Sequence, residues 1–407
     1  MSLDWKKIAI IILFLAAVAL FGFLLYYFFF QPIFRPETIL EPQKPTPTGQ
    51  LPKTITINGR TFQVEYQETT PPADQAAEPE TAAPAAGTTP VQTVGAASAS
   101  FPALGQDGQI VYYDSKDGKF YRLTADNKIS QLSDKVFNNV SRVTWSNNRD
   151  KAVLEYPDGS KIVYDFANKK QITLPKHWQD FSFSPNGQDL AFKSIALDPE
   201  NRFLAVAKSD GSQTKVLERI GDVEDQFTVN WSPNNQMVAY FNKGLDLNRS
   251  EIYFIGLNNE NFKLMTAEGR GFSGVWAPQG ERMVYSVYSS ASDYKPQLWV
   301  ADTTANNIGD NRRSLGLETW GDKCAFVSAE KLYCAVPESL PFGISMDRRV
   351  ANDIVDQIYE INLRTGVKRV VANPQGGHAI SQIMSVPNAS YLYFVDQNTG
   401  RIYKVNL

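Results

Sequence analysis

One short pattern recurs through most of this chain. An alternating strand ends in an aromatic residue, and a tight turn rich in Ser, Pro, Asn and Gly follows. The copies read VTWSNNR at 143–149, FSFSPNG at 181–187, VNWSPNN at 229–235 and GVWAPQG at 274–280. Degenerate copies lie at 323–328 (KCAFVS) and 382–388 (QIMSVPN). The anchors Trp145, Phe183, Trp231 and Trp276 are 38, 48 and 45 residues apart. Each interval has room for four short alternating strands, which is the period of one β-propeller blade. An all-β propeller is therefore the expected fold.

The turns agree with that reading. Proline presets φ at the first corner, and Asn or Gly takes the unusual dihedrals after it. Ser146, Ser184 and Ser232 are placed to bond the turn backbone, so these repeated polar residues read as structural. Strands are expected at 142–146, 151–156, 161–166 and 171–174 in one copy, and at 228–232, 237–242, 251–257 and 261–265 in another.

The stretch SPNGQDLAF at 184–192 resembles the repeat of TolB-type, WD40-like (PD40) bacterial propellers. The same repeat builds the propeller of prolyl-oligopeptidase-type peptidases. The resemblance spans residues 106–407 and implies protein–protein interaction, although the leading domain of TolB itself is not evident. It carries the fold and leaves the function open.

Seven blades are expected, with six as the alternative. The first and last copies each offer three strands, so a segment before Gln106, such as 99–104, is expected to supply a missing one. Joining the two ends removes exposed sheet edges.

The amino-terminal quarter is different. Residues 8–30 carry no charge and no proline. As a helix they cover roughly 34 Å, enough to cross a hydrocarbon core. Lys6 and Lys7 precede them and only Arg35 follows closely, which favours a cytoplasmic N-terminus. No small-residue cleavage site follows, so a retained single-pass anchor is expected rather than a signal peptide. Residues 31–105 hold twelve prolines and read as a disordered linker. Within it, 53–66 alternates around Asn58-Gly59, the signature of a hairpin.

Long loops on a rigid scaffold usually carry function. In a propeller, loops joining second to third strands and successive blades share one face. Here those loops are long, at 196–201, 243–250, 289–296 and 337–357. These long loops hold Asp293, Tyr294, Arg348 and Arg349, and the between-blade loops of the same face hold His177, Trp178, Arg270, Trp320 and His378; together they are the candidate binding residues. The 337–357 insert reads in part as a short amphipathic helix. Cys324 and Cys334 fall opposite one another on one predicted hairpin and are candidates for a disulfide.

Much is excluded. Forty basic against 43 acidic side chains argue against a nucleic-acid partner. There is no Gly-x-Ser-x-Gly elbow, His-Glu-x-x-His or phosphate loop, and two distant histidines do not make a zinc site. No catalytic residue, metal ligand or cofactor is expected. The resulting expectation is a membrane-anchored, extracytoplasmic propeller. It would serve the cell envelope as a non-catalytic scaffold for a protein or glycan. The alternative is a hydrolase or lyase using carboxylates in the central funnel.

Overall fold

The computed structural model describes residues 18–21, 23, 54–57, 60–63, 87–96, 98–386 and 390–407. Among them, seven four-stranded antiparallel sheets form the seven blades of a propeller. Blade 1 begins with Ala99–Leu104, blade 2 with Arg142–Trp145 and blade 3 with Trp178–Phe183. Blades 4 to 7 begin with Phe227–Val229, Arg270–Trp276, Cys324–Ser328 and Ile380–Ser385.

The core lies between the blades. Each of seven buried apolar clusters is shared by two neighbours. One joins Phe120 and Tyr113 of blade 1 to Trp145, Leu154 and Tyr164 of blade 2. Another joins Met384, Tyr393 and Ile402 of blade 7 back to Ile110, Tyr112 and Leu123 of blade 1. Strands buried on both sides read as apolar runs, as Ala152-Val153-Leu154 and Leu190-Ala191-Phe192 do. Sheet against sheet, no blade can bury its faces alone, so the ring must close.

Closure comes from a strand the repeat does not announce. Val91–Val94 pairs antiparallel with Ile402–Asn406 as the outermost strand of blade 7. Ala99–Leu104 is the first strand of blade 1. Ala99–Leu104 is the segment expected to supply a missing strand, whereas Val91–Val94 falls in the stretch read only as linker, so the propeller begins before Gln106. Val94 and Ala99 are buried in the closing cluster, and that burial outweighs the local disorder-like composition.

The turns follow their chemistry. Ser184 Oγ accepts from Asp189 N at 2.9 Å and donates to Asn186 at 2.7 Å. Ser232 does the same with Met237 N and Asn234. The fourth turn position is left-handed in all four copies, at Arg149, Gly187, Asn235 and Gly280. At Gly280 a Cβ would stand 2.8 Å from Asn234 of the preceding blade, so glycine is required there. The indoles also tie blades together: Trp145 Nε1 donates to Phe101 O at 2.9 Å, and Trp276 Nε1 to Asn230 at 3.0 Å.

Two strands of blade 4 depart from their expected places. The first, Phe227–Val229, ends before Trp231 instead of running over 228–232. The outer strand of blade 4 is Met265–Ala267, not 261–265. Pairing Ile252 with Met265 and Ser250 with Ala267 buries both partners' apolar groups, and Glu260 folds the intervening turn onto Asn258.

Thr54–Ile57 and Arg60–Gln63 pair in the register expected of the hairpin, with Ile57 opposite Arg60. They belong to a separate compact unit spanning Met1–Gln75. Most of the apolar span 8–30 lies outside the described residues. Residues 18–21 and 23 within it are helical. No helix among the described residues is long and apolar enough to cross a membrane.

Candidate functional site

Residues 338–355 leave blade 6 between its second strand, Lys331–Pro337, and its third, Asp356–Asn362. They do not form an α-helix. Two 3-10 turns, Ile344–Met346 and Arg348–Ala351, fold them back on the blade. Leu340, Ile344, Ala351 and Ile354 point inward around Trp320 as a small separate core.

Four candidate residues meet at this insert. Gly343 N donates to Asp293 O at 2.8 Å, and Ser345 N to Tyr294 O at 3.1 Å. Asp293 and Tyr294 both adopt left-handed φ, which turns their carbonyls toward the insert. The Tyr294 ring meets Phe342 edge-on at 5.7 Å. The Arg348 guanidinium lies 4.7 Å from the centre of the Trp320 ring and binds Asp322 at 2.6 Å. Asp353 accepts from Asn398 of blade 7 at 3.1 Å. The insert is thus fastened to blades 5, 6 and 7 at once.

Beneath it lies a buried ion pair the sequence does not signal. Lys323 Nζ reaches both oxygens of Asp356, at 2.6 and 2.7 Å, and Ile380 N donates to the same carboxylate at 2.6 Å. Burial lowers the Lys323 ammonium and raises the Asp356 carboxyl, against their mutual attraction. Asp356 N donates to His378 O. The His378 ring in turn binds Asp396 through Nδ1 at 2.8 Å and packs on Phe394 and Tyr403. Burial raises Asp396, but the bonds from His378 and Thr399 outweigh it and hold its carboxyl below the ordinary range. His378 therefore braces the junction of blades 6 and 7.

The outer surface of the insert is apolar. Phe342, Met346 and Val350, four residues apart, are 71%, 64% and 62% exposed. Other long loops of the same face add Leu197 at 100% and Leu247 at 78%. Arg349 stands fully in solvent, paired with Asp347 at 2.8 Å.

The remaining candidates lie apart from this cluster. Trp178 stacks on Phe192 at 3.7 Å and is a core residue of blade 3. His177 lines a cleft of about 730 Å3 with Leu197, Arg202 and Phe203. Arg270 donates to Asp246 O at 3.0 Å, beside a second cleft of about 510 Å3 bearing Leu247 and Glu268. Cys324 and Cys334 stand opposite in register and are joined as a disulfide, with Cα atoms 4.0 Å apart. Among the described residues, no three His, Cys, Asp or Glu side chains converge as a metal site. Sequence reasoning missed Phe342 and Lys323–Asp356. The four-residue spacing of Phe342, Met346 and Val350 was the one available signal.

No family model and no curated protein matches this chain. Solved structures match the fold. The β-propeller domain of Cps50 (Swd1) from Myceliophteria thermophila has a TM-score of 0.51 at 10% identity, covering 78% of this chain and 98% of that one. The tricorn protease has a TM-score of 0.50 at 10% identity, covering 86% of this chain and 35% of that one. An oligogalacturonate lyase from Vibrio parahaemolyticus reaches 0.49 at 11% identity, covering 78% and 93%. The seven sheets define the class, a β-propeller, and the first two likenesses agree with that fold and say nothing beyond it.

Proposed function

We propose that this chain is a membrane-tethered, extracytoplasmic propeller that holds a protein partner on its long-loop face and performs no chemistry of its own. The observation that carries this reading is the exposed ridge Phe342, Met346 and Val350 on an insert pinned to three blades. Apolar side chains on a rigid base release ordered water on docking without a large ordering cost, which suits a protein partner better than a glycan. The apolar run 8–30 supports the tether, and the Cys324–Cys334 bond suits an oxidising compartment. The TolB-like stretch at 184–192 is in keeping with an envelope scaffold.

The test is crosslinking of the full-length protein in native membranes. A discrete partner crosslinked through 337–357, and lost from the variant Phe342→Ser/Met346→Ser, is the expected outcome. An unchanged crosslinking pattern in that variant overturns the reading.

A second reading rests on one carboxylate pair. Arg142 lies between Glu155, at 3.8 Å, and Asp180, at 3.3 Å. Burial raises the Glu155 carboxyl. Burial also raises Asp180, but the bonds from Lys193 and Arg142 bring it below the ordinary range. Two carboxylates displaced in opposite directions suit acid–base chemistry of a hydrolase or lyase. A substrate screen in which turnover appears and Glu155→Gln abolishes it would favour this reading over the scaffold.

A further inference from the structure

The short-loop face carries a feature that scaffolding by the long loops does not use. Where blade 5 meets blade 6, a cavity of about 430 Å3 is lined by Arg282, Arg312, Arg313 and Arg364 against Asp302 and Glu330. Arg282 opens the second strand of blade 5, Asp302 closes the third and Arg313 opens the fourth. The same three positions of blade 2 carry Lys151, Asp165 and Lys170, and they line a smaller cavity of about 300 Å3 toward blade 3. There Lys208 is neutralised by Asp189 at 2.8 Å.

The blade 5–6 cavity is the more cationic of the two, because the loop at 303–312 delivers Arg312 and blade 6 delivers Arg364. Its guanidinium groups are held in place. Arg282 Nε donates to Asp302 at 3.1 Å, and Asn311 occupies the other Asp302 oxygen at 2.6 Å. Arg313 donates to Leu363 O and has no carboxylate partner among the described residues. Arg364 reaches Glu330 at only 3.3 Å and is largely exposed. Arg312 is paired with Glu268, just outside the lining, at 2.9 Å, so with Asp302 on Arg282 and Glu330 on Arg364 one positive charge, that of Arg313, is left in excess in a ligand-sized space.

We propose that this cavity is a binding site for a compact multivalent oxyanion, carrying carboxylate or phosphate groups, with Arg313 and Arg364 as its principal donors. Guanidinium forks suit such groups because two parallel N–H bonds meet two oxygens of one anion. Arg282 and Arg312, each paired with a carboxylate, line the space around them.

The test is titration calorimetry on the full chain in detergent, with citrate and inorganic pyrophosphate as probes. One saturable site is expected for at least one probe, weakening with added salt. Citrate alone would assign a carboxylate ligand, pyrophosphate alone a phosphate ligand, and either supports the site. Arg313→Gln/Arg364→Gln should weaken binding about tenfold or more, while Arg348→Gln on the other face should not. If the glutamine variant fails to fold, Arg313→Lys/Arg364→Lys keeps the charges but removes the paired donors and should weaken binding as well. No saturable binding of either probe, or equal affinity in the folded variant, overturns the proposal.

Discussion

Lys323 and Asp356 show how one buried charge depends on another. Removing Lys323 alone leaves Asp356 buried beside Ile380 N with no counter-charge. Lys323→Ala should cost about 3–5 kcal/mol in chemical denaturation of the full chain. Lys323→Met/Asp356→Leu should recover most of that loss, since an apolar pair of similar volume carries no desolvation cost. Asp396 behaves differently. Its carboxyl is lower in the folded protein than in the unfolded chain. The stability it contributes is present above the unfolded value, about 3.9, and is lost as pH falls through the lower folded value. Asp396→Asn removes that dependence, so its acid denaturation should be flatter below about pH 4 than that of the parent. A parallel acid limb in both proteins would refute the assignment.

Among the elements, the closing strand and the blade 6 hairpin matter most. Val91–Val94 covers the outer edge of Ile402–Asn406. A chain beginning at residue 96 would expose that edge and open the cluster joining blades 7 and 1. It should elute as larger species on gel filtration and unfold at a lower temperature. The disulfide closes a ten-residue separation on one hairpin. Cys324→Ala/Cys334→Ala should lower stability by about 3 kcal/mol by the loop-entropy estimate, read from the denaturation midpoint. The two 3-10 turns of the insert contribute through Trp320, around which Leu340, Ile344 and Ala351 pack. Trp320→Ala should release the insert and make 338–355 the first site of limited proteolysis.

At the scale of the whole molecule, the two faces have different chemistry. One presents apolar side chains on long loops, and the other presents basic grooves between short turns. A tether at the N-terminus would let either face meet a partner. Topology can be tested on intact cells: added protease should cut the propeller, and a propeller protected until lysis would overturn the extracytoplasmic placement. The loss of partner crosslinking in Phe342→Ser/Met346→Ser, with an unchanged melting temperature, would separate docking from folding.

The recurring aromatic–Ser–Pro–Asn turn was enough to establish an all-β propeller. Period-two alternation gave the strand boundaries of blade 2, though not those of blade 4, and the register of one hairpin gave the opposition of Cys324 and Cys334. Those are local consequences of period-two alternation and turn dihedrals, and residues close in sequence carry them. Three things waited for the tertiary structure. Val91–Val94 became a strand because its pairing partner lies some 300 residues away in sequence, at Ile402–Asn406. Lys323 and Asp356 became a buried pair because the 3-10 turn Gly321–Lys323 and the start of the third strand of blade 6 come together under an insert. Trp178 became core while Phe342 became surface, although both are aromatic residues at loop margins. Composition assigns the residue types, but burial is decided by which neighbours the closed ring brings against them.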